Sequence, residues 1–241
     1  MFRLARSEVL GRLVRKGEIT GLNISTWTII RNAIKEGRRN DAIDYLRYLP
    51  REVGERVTGH VNFINKSLTF IAENHGEEDV AKALRWYRHV LKEAGRIDMS
   101  YSLSLEELIQ YQAEELRASL GLGGRRCFTI AEEPERFVIS VHTHIGRMKS
   151  MSQSGNLSFI LGVTKDPHHW SWGKPRVPYY CAHCCLWWEI MPIEEHGYPI
   201  RVHEYPENPR EPCRIIYYKK PELIPDKYFA QVGLKRPSQN G

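Results

Sequence analysis

The first 126 residues contain no cysteine and a single proline, Pro50. Proline lacks an N–H and clashes with the preceding helical turn, so a stretch almost without it is free to be helical. No run approaches the roughly 18 consecutive apolar residues that a membrane-spanning helix requires, so no membrane span is expected. Charge of one sign is also not concentrated. There are 35 basic and 29 acidic residues, a net +6 spread along the chain, and nucleic acid is not the partner this spread favours. Hydrophobic residues make up 41% of the 241, enough for a true core, which excludes a disordered chain, a collagen-like repeat and a disulfide-stapled miniprotein.

What the first half lacks, the second half holds. Residues 127–241 carry all five cysteines, twelve of the thirteen prolines, four of the six tryptophans and seven of the ten histidines. Gly121-Leu122-Gly123-Gly124 reads as a linker between the two. The expected class is α+β: a helical domain over 1–120 packed on a mainly antiparallel α+β domain over 127–241.

In the first half, Leu4, Leu10, Leu13 and Val14 predict a short first helix. Its basic residues Arg3, Arg6, Arg12, Arg15 and Lys16 also suit a membrane-surface or transit helix, against which the interleaved Glu8 speaks. Ser25 can cap a second helix that Gly37 ends, and Asn40 a third that Pro50 stops. Apolar spacing predicts helices from Arg51 to His75 and from Glu77 to Ala94. Ser104 and Glu107 make a capping box for a last one through Leu120.

The second half carries the chemistry. Phe137 to His144 alternates as a strand does, placing Ser140, His142 and His144 on one face. Two imidazoles so placed can grip one metal ion or can hydrogen-bond in a polar pocket. Cys181 and Cys184 form a Cys-x-x-Cys pair, whose thiolates can turn onto one ion at about 2.3 Å. Half a site needs further ligands. His144 and Cys213 are the candidates, with His142 or His183 behind them, and zinc precedes iron or an iron–sulfur cluster. A redox dithiol, a structural disulfide and inert buried thiols are the competing readings of the same cysteines. No secretory signal is evident, so a reducing, cytoplasmic setting is expected.

Leu186-Trp187-Trp188-Glu189-Ile190-Met191 reads as two helical turns that Pro192 breaks, and Ile200 to Glu204 and Cys213 to Tyr218 read as strands. Glu195, or Glu194, is a candidate general base. His183 is a candidate proton shuttle, and Arg147 a cation for a substrate carboxylate. His142, Trp172, Tyr180 and Trp188 are candidate pocket residues, the aromatic density suiting either a ligand wall or an aromatic core. Cys127, Cys185, His168 and His169 receive no role.

Tyr179-Tyr180-Cys181-Ala182-His183-Cys184, Pro192-Ile193-Glu194, Gly197-Tyr198-Pro199, Pro212-Cys213 and Lys220-Pro221-Glu222-Leu223-Ile224-Pro225 resemble an uncharacterised bacterial family. That family has a helical first half and a Cys-x-His-Cys turn. Where it tends to carry Asp-Pro-Cys-Gly, this chain has His142-Thr143-His144, a Cys-to-His exchange that zinc tolerates. More loosely, the pattern is similar to 2-aminothiazoline-4-carboxylate hydrolases and vinyl-reductase-type ligand-binding domains. These resemblances imply an α+β ligand-binding fold and transfer no activity.

The function expected from all this is a zinc-dependent hydrolase acting on a small, aromatic or heterocyclic molecule, with His144, Cys181, Cys184 and Cys213 around the metal. Three ligands would leave a position for an activated water, whereas four would close the site. A small-ligand or metal sensor and a helical adaptor with structural zinc are the alternatives. A homo-oligomer is compatible with each.

Overall fold

The structure is a computed structural model in which residues 3–8, 11–95, 102–120, 128–142, 162–208 and 211–237 are described, the side chains of 51–58 and 118–120 excepted. By its contacts the chain forms two compact units, Met1–Val57 and Thr58–Gly241. This division differs from the compositional one at the glycine-rich stretch. The helices after Thr58 bury their apolar faces in the same cores as the sheet, and so belong with it.

In the first unit, strands β1 (Arg3–Ser7) and β2 (Arg12–Lys16) pair antiparallel, Arg3 opposite Lys16 and Ser7 opposite Arg12. A hairpin therefore replaces the expected first helix, and with it the membrane-surface reading of that helix. Gly11, at φ 62°, turns the chain between the strands, a conformation that costs glycine little. Helix α1 (Thr26–Lys35) starts where expected, Ser25 Oγ accepting the Thr28 N–H at 3.2 Å. Ile29 and Ile30 pack with Tyr45, Tyr48 and Leu49, and Leu4 joins them.

Helix α2 spans Arg39–His75 and passes through Pro50, which corrects the expected stop there. An internal proline forfeits one backbone bond and strains the preceding turn, about 3 kcal/mol. The buried Tyr45, Tyr48 and Leu49 just before it hold the helix in register.

In the second unit, helices α3 (Glu77–Glu93) and α4 (Leu105–Leu120) flank a four-stranded antiparallel sheet. The capping box of α4 forms as expected: Glu107 N–H donates to Ser104 Oγ at 3.3 Å and Ser104 N–H to Glu107 Oε2 at 2.7 Å. The strands are β3 (Phe128–Glu132), β4 (Arg136–Val141), β5 (Val202–Glu204) and β6 (Cys213–Tyr218), in the order β3-β4-β6-β5. Alternation splits the two faces. Ile139, Val141, Cys213, Ile215 and Tyr217 pack against Leu105, Leu108, Ile109 and Leu116 of α4. Val138, Val202 and Ile216 face the larger core, with Leu68 and Ala72 of α2, Val80 and Leu84 of α3, and Trp170, Leu186 and Phe229. The unit is thus a helix–sheet–helix sandwich, and the α+β class holds. Among the described residues no helix is long and apolar enough to cross a membrane.

The cysteine-bearing segment lies in the larger core. It runs as α5 (Ala182–Cys185), a π-helical stretch Leu186–Ile190, and α6 (Met191–His196). Pro192 does not end this helix, contrary to expectation, because it sits in the first turn of α6, where a missing N–H is tolerated. Its effect is felt one turn earlier. The carbonyl that a residue-192 N–H would have bonded belongs to Trp188, and the Ile200 N–H takes it instead, at 3.1 Å. That bond pins the approach to β5 against the helix.

Candidate functional site

Tyr180 enters the helix with its N–H bonded to the Oδ1 of the fully buried Asn65, at 2.9 Å. Three cysteines follow in one turn and a half, in three different environments. Cys181 and Cys185 are buried in the large core, 3% and 0% exposed, while Cys184 is partly exposed. None of these thiols forms a disulfide with another described residue.

Cys184 sits beside two imidazoles. The His183 Nε2 lies 3.5 Å from its Sγ, and the His183 Nδ1–H donates to the Tyr180 carbonyl, leaving Nε2 to face the thiol. The second imidazole is His203 on β5, a wholly buried ring. Its Nε2 forms no well-aligned hydrogen bond among the described residues, yet the ring and the thiol are close enough that each favours the charged form of the other.

The other side of His203 is tightly built. Its Nδ1–H donates to Glu189 Oε1 at 2.8 Å, and its backbone N–H donates to the same oxygen at 3.0 Å. The Trp172 Nε1–H adds a third bond there, at 2.8 Å, and the Gln231 side chain reaches Oε2 at 3.3 Å. Glu189 is 0% exposed, and four donors explain how a carboxylate survives there. The π stretch supplies the spacing. Met191 N–H bonds the Leu186 carbonyl five residues back, so residues five apart come onto one face, as Cys184 and Glu189 must to serve one imidazole.

The electrostatics follow from this packing. Burial alone would raise the Cys184 thiol, but His183, and then His203, outweigh it and bring the thiol well below its ordinary value. Burial would lower His203, but Cys184 and Glu189 outweigh it and raise that imidazole. The pair therefore favours thiolate and imidazolium. Cys185, one residue on, goes the other way: burial first, and then Glu189, push its thiol well above the ordinary value. Neighbouring thiols are thus shifted in opposite directions.

The structure brings together some of the expected site residues. Cys184 and His183 touch, the Tyr180 ring packs 4.8 Å from the His183 ring, and Trp188 lies under the Arg201 guanidinium at 4.0 Å. Trp172 is buried, donates to Glu189 and stacks on Tyr205. His142 lies exposed just beyond β4, 3.5 Å from Thr129 Oγ1. His144, Arg147 and Cys127 fall outside the described residues. Cys213 packs with Ile139 and Val141 in the α4-side core, whereas Cys181 belongs to the other core. Among the described residues no group of three or more His, Cys, Asp or Glu side chains is placed to hold a metal ion, so the expected zinc set is not assembled from them.

Glu195 serves a different end from the expected general base. The fully buried Arg88 donates to both its oxygens, at 2.7 and 3.1 Å, and Lys92 approaches within 3.8 Å. Burial would raise this carboxyl, but Arg88, and Lys92 after it, hold it below the usual range, which makes it a weak proton acceptor. Glu194 is likewise paired with Arg85, at 2.7 and 2.9 Å. These pairs lock α6 to α3. Replacing Glu195 with Ala leaves Arg88 buried without its counter-charge, and should lower stability by about 3 kcal/mol. Urea unfolding checks this, and an unchanged midpoint would contradict the locking role.

Sequence reasoning missed Glu189 and His203. No protein-family model, curated protein or solved structure matches the chain.

Proposed function

We propose that the second unit carries a cysteine-nucleophile hydrolase or acyl-transfer site, with Cys184 as nucleophile, His203 as general acid and base, and Glu189 as the residue that orients His203. The observation that carries this reading is the buried Glu189–His203 bond, set beside a partly exposed thiol that two imidazoles turn toward thiolate. A nucleophile, a base within reach and a third group fixing the base make the recurring arrangement of covalent acyl transfer, whatever the fold.

The chemistry is as follows. The Cys184 thiolate attacks the carbonyl carbon of an ester, thioester or amide. The tetrahedral intermediate collapses, the bond to the leaving group breaks, and the His203 imidazolium gives its proton to that group. An acyl thioester on Cys184 remains. The now neutral His203 takes a proton from water as it attacks the thioester, and the acid leaves with Cys184 again a thiolate. Glu189, holding Nδ1–H, keeps Nε2 as the nitrogen that exchanges the proton and stabilises the imidazolium. His183, fixed by the Tyr180 carbonyl, also supports the thiolate.

An activated ester tests the assignment without knowledge of the natural substrate. With p-nitrophenyl acetate the protein should release one equivalent of nitrophenolate in a burst, and mass spectrometry of the digest should find the acetyl group on Cys184. Cys184→Ser should abolish the burst. An acetyl group found on Cys181 or Cys185, or a burst that survives Cys184→Ser, overturns the reading.

A further inference from the structure

We propose that Arg201 is the recognition point for a carboxylate on the acyl substrate of Cys184, so that the site takes a small carboxylate-bearing ester, thioester or amide. The inference rests on the thiolate reading above.

Arg201 immediately precedes β5 and, two residues before His203, alternates onto the same sheet face, the one bearing Tyr217. It is only 6% exposed. One edge of its guanidinium is fixed. Nη1 donates to the Gln112 Oε1 and, at 3.0 Å, to the Tyr217 hydroxyl, which itself donates to Gln112 at 3.3 Å. The plane is fixed too, by stacking on Trp188 at 4.0 Å. The other edge is unspent. Nε is buried without a partner, and neither Nε nor Nη2 donates to any described residue.

No carboxylate among the described residues pairs with Arg201, in contrast to the fully buried Arg88, which has Glu195. A buried cation held only by neutral groups is costly unless an anion joins it. The Nε–Nη2 edge presents two parallel N–H groups, the geometry that a carboxylate meets bidentately. Arg201 also lies near the nucleophile, since it stacks on Trp188, about one helical turn after Cys184. Arg201 also lines a cavity of about 160 Å³ whose other walls include Leu105, Leu108, Ile200 and Ile216, with Cys184 and His203 outside that lining. That lining suits a short apolar body attached to the carboxylate.

Two alkylating reagents of similar size separate the claims. Iodoacetate carries the carboxylate and iodoacetamide does not. In the full chain, iodoacetate should alkylate Cys184 about tenfold faster than iodoacetamide, with saturation, as one charged bidentate contact allows. Arg201→Gln should remove that preference and leave the iodoacetamide rate as it was. Arg201→Lys, which keeps the charge but not the fork, should lose most of it. Should Arg201→Gln not fold, the lysine variant and protection of the wild type by small carboxylates decide the matter. No preference for iodoacetate, with iodoacetamide still reacting as with a thiolate, overturns the role of Arg201 alone. Equal slowing of both reagents in the variants also overturns it, since Arg201 would then be holding the thiolate. An ordinary-thiol response to iodoacetamide removes the thiolate reading and this inference together.

Discussion

Iodoacetamide should alkylate Cys184 at nearly the same rate at about pH 6 as at about pH 8. An ordinary thiol, with a pKa near 8.5, loses about tenfold in thiolate for each unit below that value, so the contrast at the acid end approaches a hundredfold. The sign follows from the two shifts. The folded pKa of Cys184 is depressed, so its charged form persists as pH falls and is lost only through that lower value. The folded pKa of His203 is raised, so its charged form persists as pH rises and is lost only through that higher value. Reactive pair and window coincide: the thiolate–imidazolium form spans the interval between the two. Stability is linked in the same way. The His203 contribution is complete below about pH 6.5 and fades as pH rises through its folded value, while that of Cys184 fades as pH falls through its own. His203→Gln should steepen the profile toward that of an ordinary thiol without fully restoring it, because His183, the larger of the two influences on the sulfur, remains. A steep profile in the wild type would mean that Cys184 is a thiol at neutral pH, and the acyl-transfer reading would go with it.

Much of the scaffold was legible from residues alone. Ser25 and the Ser104–Glu107 pair announce helix starts because their side chains complete the first turns, and β4 and β6 are written in alternating β-branched and aromatic residues. The hairpin was not legible, since Leu4, Leu13 and Val14 fit helical and strand spacing alike over so short a stretch, and Gly11 was the deciding residue. Pro50 misled because its cost is local and packing outweighs it. The cysteine motif drew attention to Cys184, but not to His203, the second imidazole beside it. Spacing along the chain favours neighbours such as Cys181, whereas the His203 imidazole comes from β5 by way of the sheet. One signal was present and unread. Glu189 is the single charge in Leu186-Trp187-Trp188-Glu189-Ile190-Met191, and a carboxylate amid such residues must be buried with donors around it.

That carboxylate carries a large expected stability effect. Glu189→Ala strands three buried donors, the Trp172 indole N–H, the His203 backbone N–H and the His203 ring N–H. Each orphaned buried donor costs about 1–3 kcal/mol. Removing the buried charge recovers part of that, because burial penalises the ionised carboxylate and raises its pKa despite the donors. The net loss should be about 3 kcal/mol, a large share of the 5–15 kcal/mol that holds a typical domain. Glu189→Gln separates the structural from the chemical part. The amide is isosteric and keeps one acceptor oxygen for the Oε1 cluster, so it should lose only about 1 kcal/mol. It nevertheless removes the charge that favours the imidazolium, so His203 should lose its proton at lower pH and Cys184 should return toward an ordinary thiol. Urea midpoints should therefore fall far for Ala and little for Gln, while iodoacetamide alkylation near pH 6 should slow in both. Were Glu189→Gln to match the wild type in alkylation across pH, the carboxylate would be a packing device only, and His203 would need no orienting partner to act on the thiol.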